Sequence, residues 1–249
     1  MNPSRSLVPD IVWLAATRIG RLLGWYWAIY VLVILVVAAI LFYTGESVTI
    51  EVGGSDTWEG STAAPRYFLL AIGIVAPTTL LTFAVVNGAT RREFADALTI
   101  LFPITAVLMF AVFAAFLGLD QAFGDALPWG RSLSTAIALD GFGGIASFLA
   151  ETSVIGLAYL STGWLIGLGY MKWRWELATL FIVPVALPAL AIELAFDNGP
   201  LGRGLNELVD IAPGDVLPWV AAIVLTLLSL IAARRLTTTV ALGSSKARA

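Results

Sequence analysis

The residues best suited to recognition or chemistry are few, and they are bunched. Asn87-Gly88-Ala89-Thr90-Arg91-Arg92-Glu93-Phe94-Ala95-Asp96-Ala97 is the densest charge cluster between two long apolar runs, Tyr67 to Val86 and Leu98 to Leu117. Asn87-Gly88 is a turn pair. Thr90 and Glu93 have capping-box spacing, in which the threonine hydroxyl accepts from the Glu93 N–H while the glutamate side chain reaches back. Arg91 and Arg92 then project from the first turn of a helix, with Phe94 as an apolar residue one step further. A structured, charged helix start of this kind reads as something for a partner to hold. The other ionisable candidates are Glu151, inside a later apolar run, and Glu193, toward the end of the next. A charge in hydrocarbon is costly unless it is protonated, paired or hydrated. Glu151 is therefore a candidate for a pathway or helix-pairing role, with Arg131 as a possible mate, while Glu193 reads as an interfacial residue.

Much chemistry is excluded outright. The chain has no Cys and no His, so Cys/His zinc or haem ligation and Ser-His-Asp or Cys-His catalysis are impossible. No Gly-x4-Gly-Lys-Ser/Thr stretch is present, and the only lysines, Lys172 and Lys246, follow no such glycine. The chain is thus not expected to hydrolyse ATP through a phosphate-cradling loop. No paired carboxylates stand out, the acidic loops lack calcium-loop spacing, and neither a bound cofactor nor a metal is expected. We read the chain as no enzyme.

The elements that must position these residues are membrane helices. Of 249 residues, 59% are hydrophobic and 12% charged, against about 25% charged in an ordinary soluble domain. Unbroken apolar runs argue against a β-barrel, whose strands alternate over ~10 residues. The fold class predicted is an all-α polytopic membrane protein with six transmembrane helices, preceded by an amphipathic interfacial helix, with both termini cytoplasmic.

Residues Val8 to Leu23 form the amphipathic helix. Asp10, Thr17 and Arg21 share one face and Ile11, Ala15, Ile19 and Leu22 another, so Arg18 and Arg21 would meet lipid headgroups. Trp25, Tyr26, Trp27 and Tyr30 mark an aromatic belt, and the first span runs on to Phe42, with no cleavable signal peptide expected. Further spans are predicted at Tyr67 to Val86, Leu98 to Leu117, Gly141 to Tyr170, Leu177 to Phe196 and Leu217 to Ala233. Prolines at 77, 103, 184 and 188 fall inside them. The fourth run is longer than a crossing needs, so it is either tilted or broken, and its many glycines suit close packing. Residues 1–24, 25–236 and 237–249 then divide as cytoplasmic N-terminus, membrane domain and basic tail. On this topology eleven of the fourteen Lys and Arg lie inside, with Arg66, Arg131 and Arg203 outside, as the positive-inside rule requires.

Gly88-Ala89-Thr90-Arg91-Arg92-Glu93-Phe94 is similar to the Gly-x-Thr/Ser-Arg-Arg-x-Phe segment between the second and third spans of permease subunits of ATP-binding-cassette exporters, the ABC transmembrane type-2 family. The six-span plan with an amphipathic start resembles that family too; residues 197–216 depart from it, being too polar for the re-entrant helices many members carry. The resemblance implies a plasma-membrane permease that pairs with a second copy or a related permease. It also implies two cytoplasmic ABC ATPase subunits, which would bind ATP and Mg. Gly88, Thr90, Arg91, Arg92, Glu93 and Phe94 would be the ATPase-docking helix, and Arg18 and Arg21 part of the connecting helix beside it. Substrate would pass along the permease interface in the bilayer, and no nucleic-acid partner is implied. Two other readings stay open: an ion-gradient-driven carrier, which should show inverted repeats and midplane ionisable groups, and a non-transporting immunity or sensor protein with the permease fold.

Overall fold

A computed structural model describes residues 7–44, 57–123, 141–195 and 216–240. They form α1 (Val8–Thr44), α2 (Thr57–Val86), α3 (Arg91–Phe123), α4 (Gly141–Lys172), α5 (Trp175–Val185), α6 (Leu187–Ala195) and α7 (Val216–Thr239). No strand occurs among the described residues. Arg131, the tail beyond 240 and most of the predicted outside segments lie outside them.

Among the described residues, five helical stretches are long and apolar enough to cross a membrane: Ala63–Val86, Arg91–Phe116, Gly143–Lys172, Trp175–Glu193 and Trp219–Thr239. They match the second to sixth predicted spans. The fourth is one unbroken helix of 32 residues, about 48 Å long. The fifth is interrupted at Ala186, between Pro184 and Pro188, into α5 and α6. Each proline removes a backbone donor and crowds the preceding turn, which accounts for the break.

The α4 helix is the axis of the bundle, with 78% of its apolar stretch buried against 28% for Trp175–Glu193. Its glycines make this possible. A Cβ on Gly167 would lie 2.7 Å from the Ile74 carbonyl oxygen, and one on Gly163 or Gly73 would come closer still to the carbonyl oxygen of Leu70 or Leu160. On α4, residues 156, 163 and 167 meet 69, 70–74 and 74–77 of α2 in ascending order, so these helices run parallel. Gly156 faces Phe110 while Trp164 meets the Phe102 ring edge-on at 5.3 Å, so α3 runs the opposite way. Without a hydrophobic drive between helices in lipid, such backbone-to-backbone approach is what holds them together.

The N-terminal region differs from expectation. No break separates an interfacial helix from a first span: α1 is continuous over 37 residues. Gly20 and Gly24 are its only weak points, and a helical glycine costs only about 1 kcal/mol, whereas no proline interrupts it. The Ile11, Ala15 and Ile19 face is buried as a stripe, inside the same core cluster as Phe94 and Leu98 rather than against lipid. Higher up, Tyr26 stacks on Phe68 at 4.4 Å and Trp27 meets Phe116 at 5.3 Å. What packs along α2 and α3 is therefore residues 7–30, not 25–42. Beyond them Leu32, Val33, Leu35, Val36 and Ile40 are exposed.

Candidate functional site

The turn between α2 and α3 consists of Asn87, Gly88, Ala89 and Thr90, and each residue has a defined job. Gly88 has φ +89°, the left-handed region that glycine enters without a Cβ penalty. Its N–H donates to the Val85 carbonyl at 3.0 Å, and the Ala89 N–H donates to the Ala84 carbonyl at 3.0 Å. This pair of bonds is a Schellman cap on α2, and the Asn87 side-chain amide adds a bond to the Phe83 carbonyl at 2.7 Å.

Thr90 then caps α3. Its hydroxyl accepts from the Glu93 N–H at 3.1 Å, while Glu93 Oε2 accepts from the Thr90 N–H at 2.9 Å and from the Thr90 hydroxyl at 2.8 Å. The expected capping box is present. Glu93 does more than close its own helix. Its other oxygen, Oε1, accepts the Leu7 N–H at 3.0 Å, at the residue whose carbonyl receives the first helical bond of α1 from Ile11. One carboxylate thus ties the first turns of two helices that lie 86 positions apart. Three residues on, Asp96 Oδ1 accepts from Arg234 Nε at 2.6 Å, which joins the end of α7 to the same corner. Lys172 Nζ donates to Thr239 Oγ1 at 2.9 Å and adds the end of α4.

The six residues of the predicted docking set separate into two groups. Phe94 is fully buried, with Ala95, Leu98 and Ile11 in the same cluster; it anchors the turn to the bundle and offers nothing to a partner. Glu93 is spent on internal bonds. Gly88, Thr90 and Arg92 are exposed and Arg91 is half-buried. No hydrogen bond or ion pair joins either arginine to another described residue. The surface left for recognition is therefore a pair of adjacent guanidiniums on a fixed backbone. Lys172, Arg174, Arg234 and Arg235 close the same end of the bundle, since α4 and α7 finish there and α5 begins there.

No family model, curated protein or solved structure matches the chain.

A second cluster lies at the opposite end, where the sequence offered Glu151 as a pathway or helix-pairing candidate and Glu193 as an interfacial residue. Arg66 falls inside α2 and is buried, because that helix begins at Thr57, ahead of the apolar run that hydropathy picks out. Glu193 is likewise buried rather than interfacial, and the Tyr159 hydroxyl donates to its Oε1. Glu151, half-buried, and Glu193 both act electrostatically on the Arg66 guanidinium. The cation near Glu151 is thus Arg66, on a neighbouring helix. One guanidinium, two carboxylates and a phenol join α2, α4 and α6, and Tyr67 meets the Tyr159 ring edge-on at 5.8 Å. Arg18 and Arg21 belong to neither cluster; they line a groove between α1 and α2.

Proposed function

We propose that this chain is the membrane-embedded permease subunit of an ATP-driven exporter, crossing the plasma membrane six times with both termini cytoplasmic, and that a separate ATPase docks on the Gly88–Arg92 turn. The first crossing would be α1. The single observation that carries the reading is that this turn is capped on both sides, basic and bonded, through Glu93 and Asp96, to two helix ends besides its own. A partner gripping Arg91 and Arg92 holds a backbone capped on both sides. Through Glu93 it also reaches α1, and through Asp96 it reaches α7. Movement of the partner would be delivered to four helices at once rather than absorbed by a soft loop. ATP and Mg belong to the partner, since the chain has no phosphate-cradling loop. A second copy of the permease would cover exposed apolar helix faces and complete a path for cargo. Pro77, Pro184 and Pro188 are the places where helices could bend during such a cycle.

Replacing Arg91 and Arg92 together by Glu should abolish co-purification with the ATPase, or uncouple hydrolysis from transport, while helical content stays unchanged. Normal export by that variant would remove the docking assignment. A second reading, a carrier driven by an ion gradient, would use the Arg66–Glu151–Glu193 group as its ionisable site, at one end of the bundle rather than at the midplane usual for carriers. Transport that persists in vesicles without nucleotide, and collapses with an ionophore, would select it.

A further inference from the structure

Between α1 and α2 lies a cavity of about 550 Å³, whose walls include Arg18, Arg21 and Trp25 from one helix and Val75, Thr79 and Phe83 from the other. The volume is typical of a small-molecule site. Both arginines are exposed, and neither makes a hydrogen bond or ion pair with another described residue. Their level is unusual. Thr79 and Val75 stand seven and eleven residues from Val86, the end of the Ala63–Val86 crossing, or roughly 10 and 16 Å along the helix axis. A bare guanidinium so deep is costly, although its stem can carry the head some way toward the interface. Apart from Thr79, whose hydroxyl donates to the Val75 carbonyl, the rest of the wall is apolar, with Trp25, Val75 and Phe83 each more than two-fifths exposed.

Two unpaired cations above an apolar slot, open to the lipid side, match one chemistry. We propose that this groove binds an acidic phospholipid, its phosphate held between Arg18 and Arg21 and one acyl chain laid deeper, along Val75 and Trp25. Guanidinium–phosphate bonds are charge-assisted and can be bidentate, and basic pockets between membrane helices on the cytoplasmic side commonly take anionic headgroups. The bound lipid would neutralise the arginines and wedge α1 in place beside the docking turn. The inference rests on the proposed topology, which puts the basic end at the cytoplasmic leaflet, and not on the ATPase.

The test is native mass spectrometry of the full-length protein in detergent, titrated with phosphatidylglycerol or with phosphatidylcholine of identical chains. The intact protein should bind phosphatidylglycerol about thirtyfold more tightly, the scale expected for two basic side chains near a headgroup. That preference should vanish in Arg18→Gln/Arg21→Gln and survive in part in Arg18→Lys/Arg21→Lys. Val75→Trp, which fills the slot and leaves the charges alone, should weaken binding as well, so the assignment stays testable if the glutamine variant does not fold. Equal binding of the two lipids, an unchanged preference in the glutamine variant, undiminished binding in Val75→Trp, or full displacement by excess inorganic phosphate would each overturn the assignment. No arm involves the partner, so failure here is separable from failure of the docking proposal.

Discussion

Glu93 accepts hydrogen bonds from the starts of two helices, whereas Thr90 serves only one. Thr90→Ala should therefore cost about 1 kcal/mol, the usual loss of a helix cap. Glu93→Ala should lower the melting temperature further and raise hydrogen exchange at Leu7 to Ile11 as well as at the α3 start. Equal exchange at Leu7 in the two variants would show that the cross-helix bond is idle. Gly88→Ala places a Cβ at φ +89°, for which a penalty of about 1–2 kcal/mol is expected. The capping box and the turn glycine were legible in the sequence because each is a signal contained within four residues. The Leu7–Glu93 bond was not, since nothing local marks a carboxylate for use by a distant helix end. Arg66 was hidden for a different reason: hydropathy starts a span at its first apolar residue, while the helix itself starts earlier.

At the level of elements, the α2–α4 contact is the part of the fold most sensitive to a single methyl group. An alanine at 163 would drive its Cβ into the backbone of α2 near Leu70 and Gly73. Two close-packed backbones cannot relax as side chains do, so Gly163→Ala should cost about 3 kcal/mol, the upper end of ordinary overpacking, in thermal melts of the detergent-solubilised protein. Gly20→Ala on α1 meets nothing within 4 Å and should instead stabilise by about 0.5–1 kcal/mol through helix propensity. Equal responses at the two positions would contradict the packing described. The sequence showed that α4 was rich in small residues but not which glycine met which helix, because pairing across 90 positions leaves no periodic trace. It also suggested two helices where α1 is one, since a switch from amphipathic to uniformly apolar composition changes the surroundings of a helix without breaking its hydrogen bonds.

For the molecule as a whole, the ionisable groups divide between two ends with different roles. At one end the charges are exposed, and the Asp96–Arg234 pair, with side chains 32% and 45% exposed, contributes about 0–1 kcal/mol. At the other, Arg66 and Glu193 are buried among three helices. Arg66→Leu leaves Glu151 and Glu193 together without their cation, and a loss of about 3–5 kcal/mol is expected, read as a fall in melting temperature far larger than that of Arg234→Leu. The distribution of Lys and Arg was the strongest global signal in the sequence, because it needs no knowledge of which helices touch. The claim that unites the account is that the exposed end faces the cytosol and is held there by a nucleotide-hydrolysing partner. The most direct measurement is photo-crosslinking in living cells from an unnatural residue at position 92. The account predicts a single adduct with a soluble ATPase, absent when the crosslinker stands at Ala64 at the opposite end. An adduct-free position 92 in a chain that still transports, or a residue 92 that reacts with membrane-impermeant reagents from outside, would contradict it.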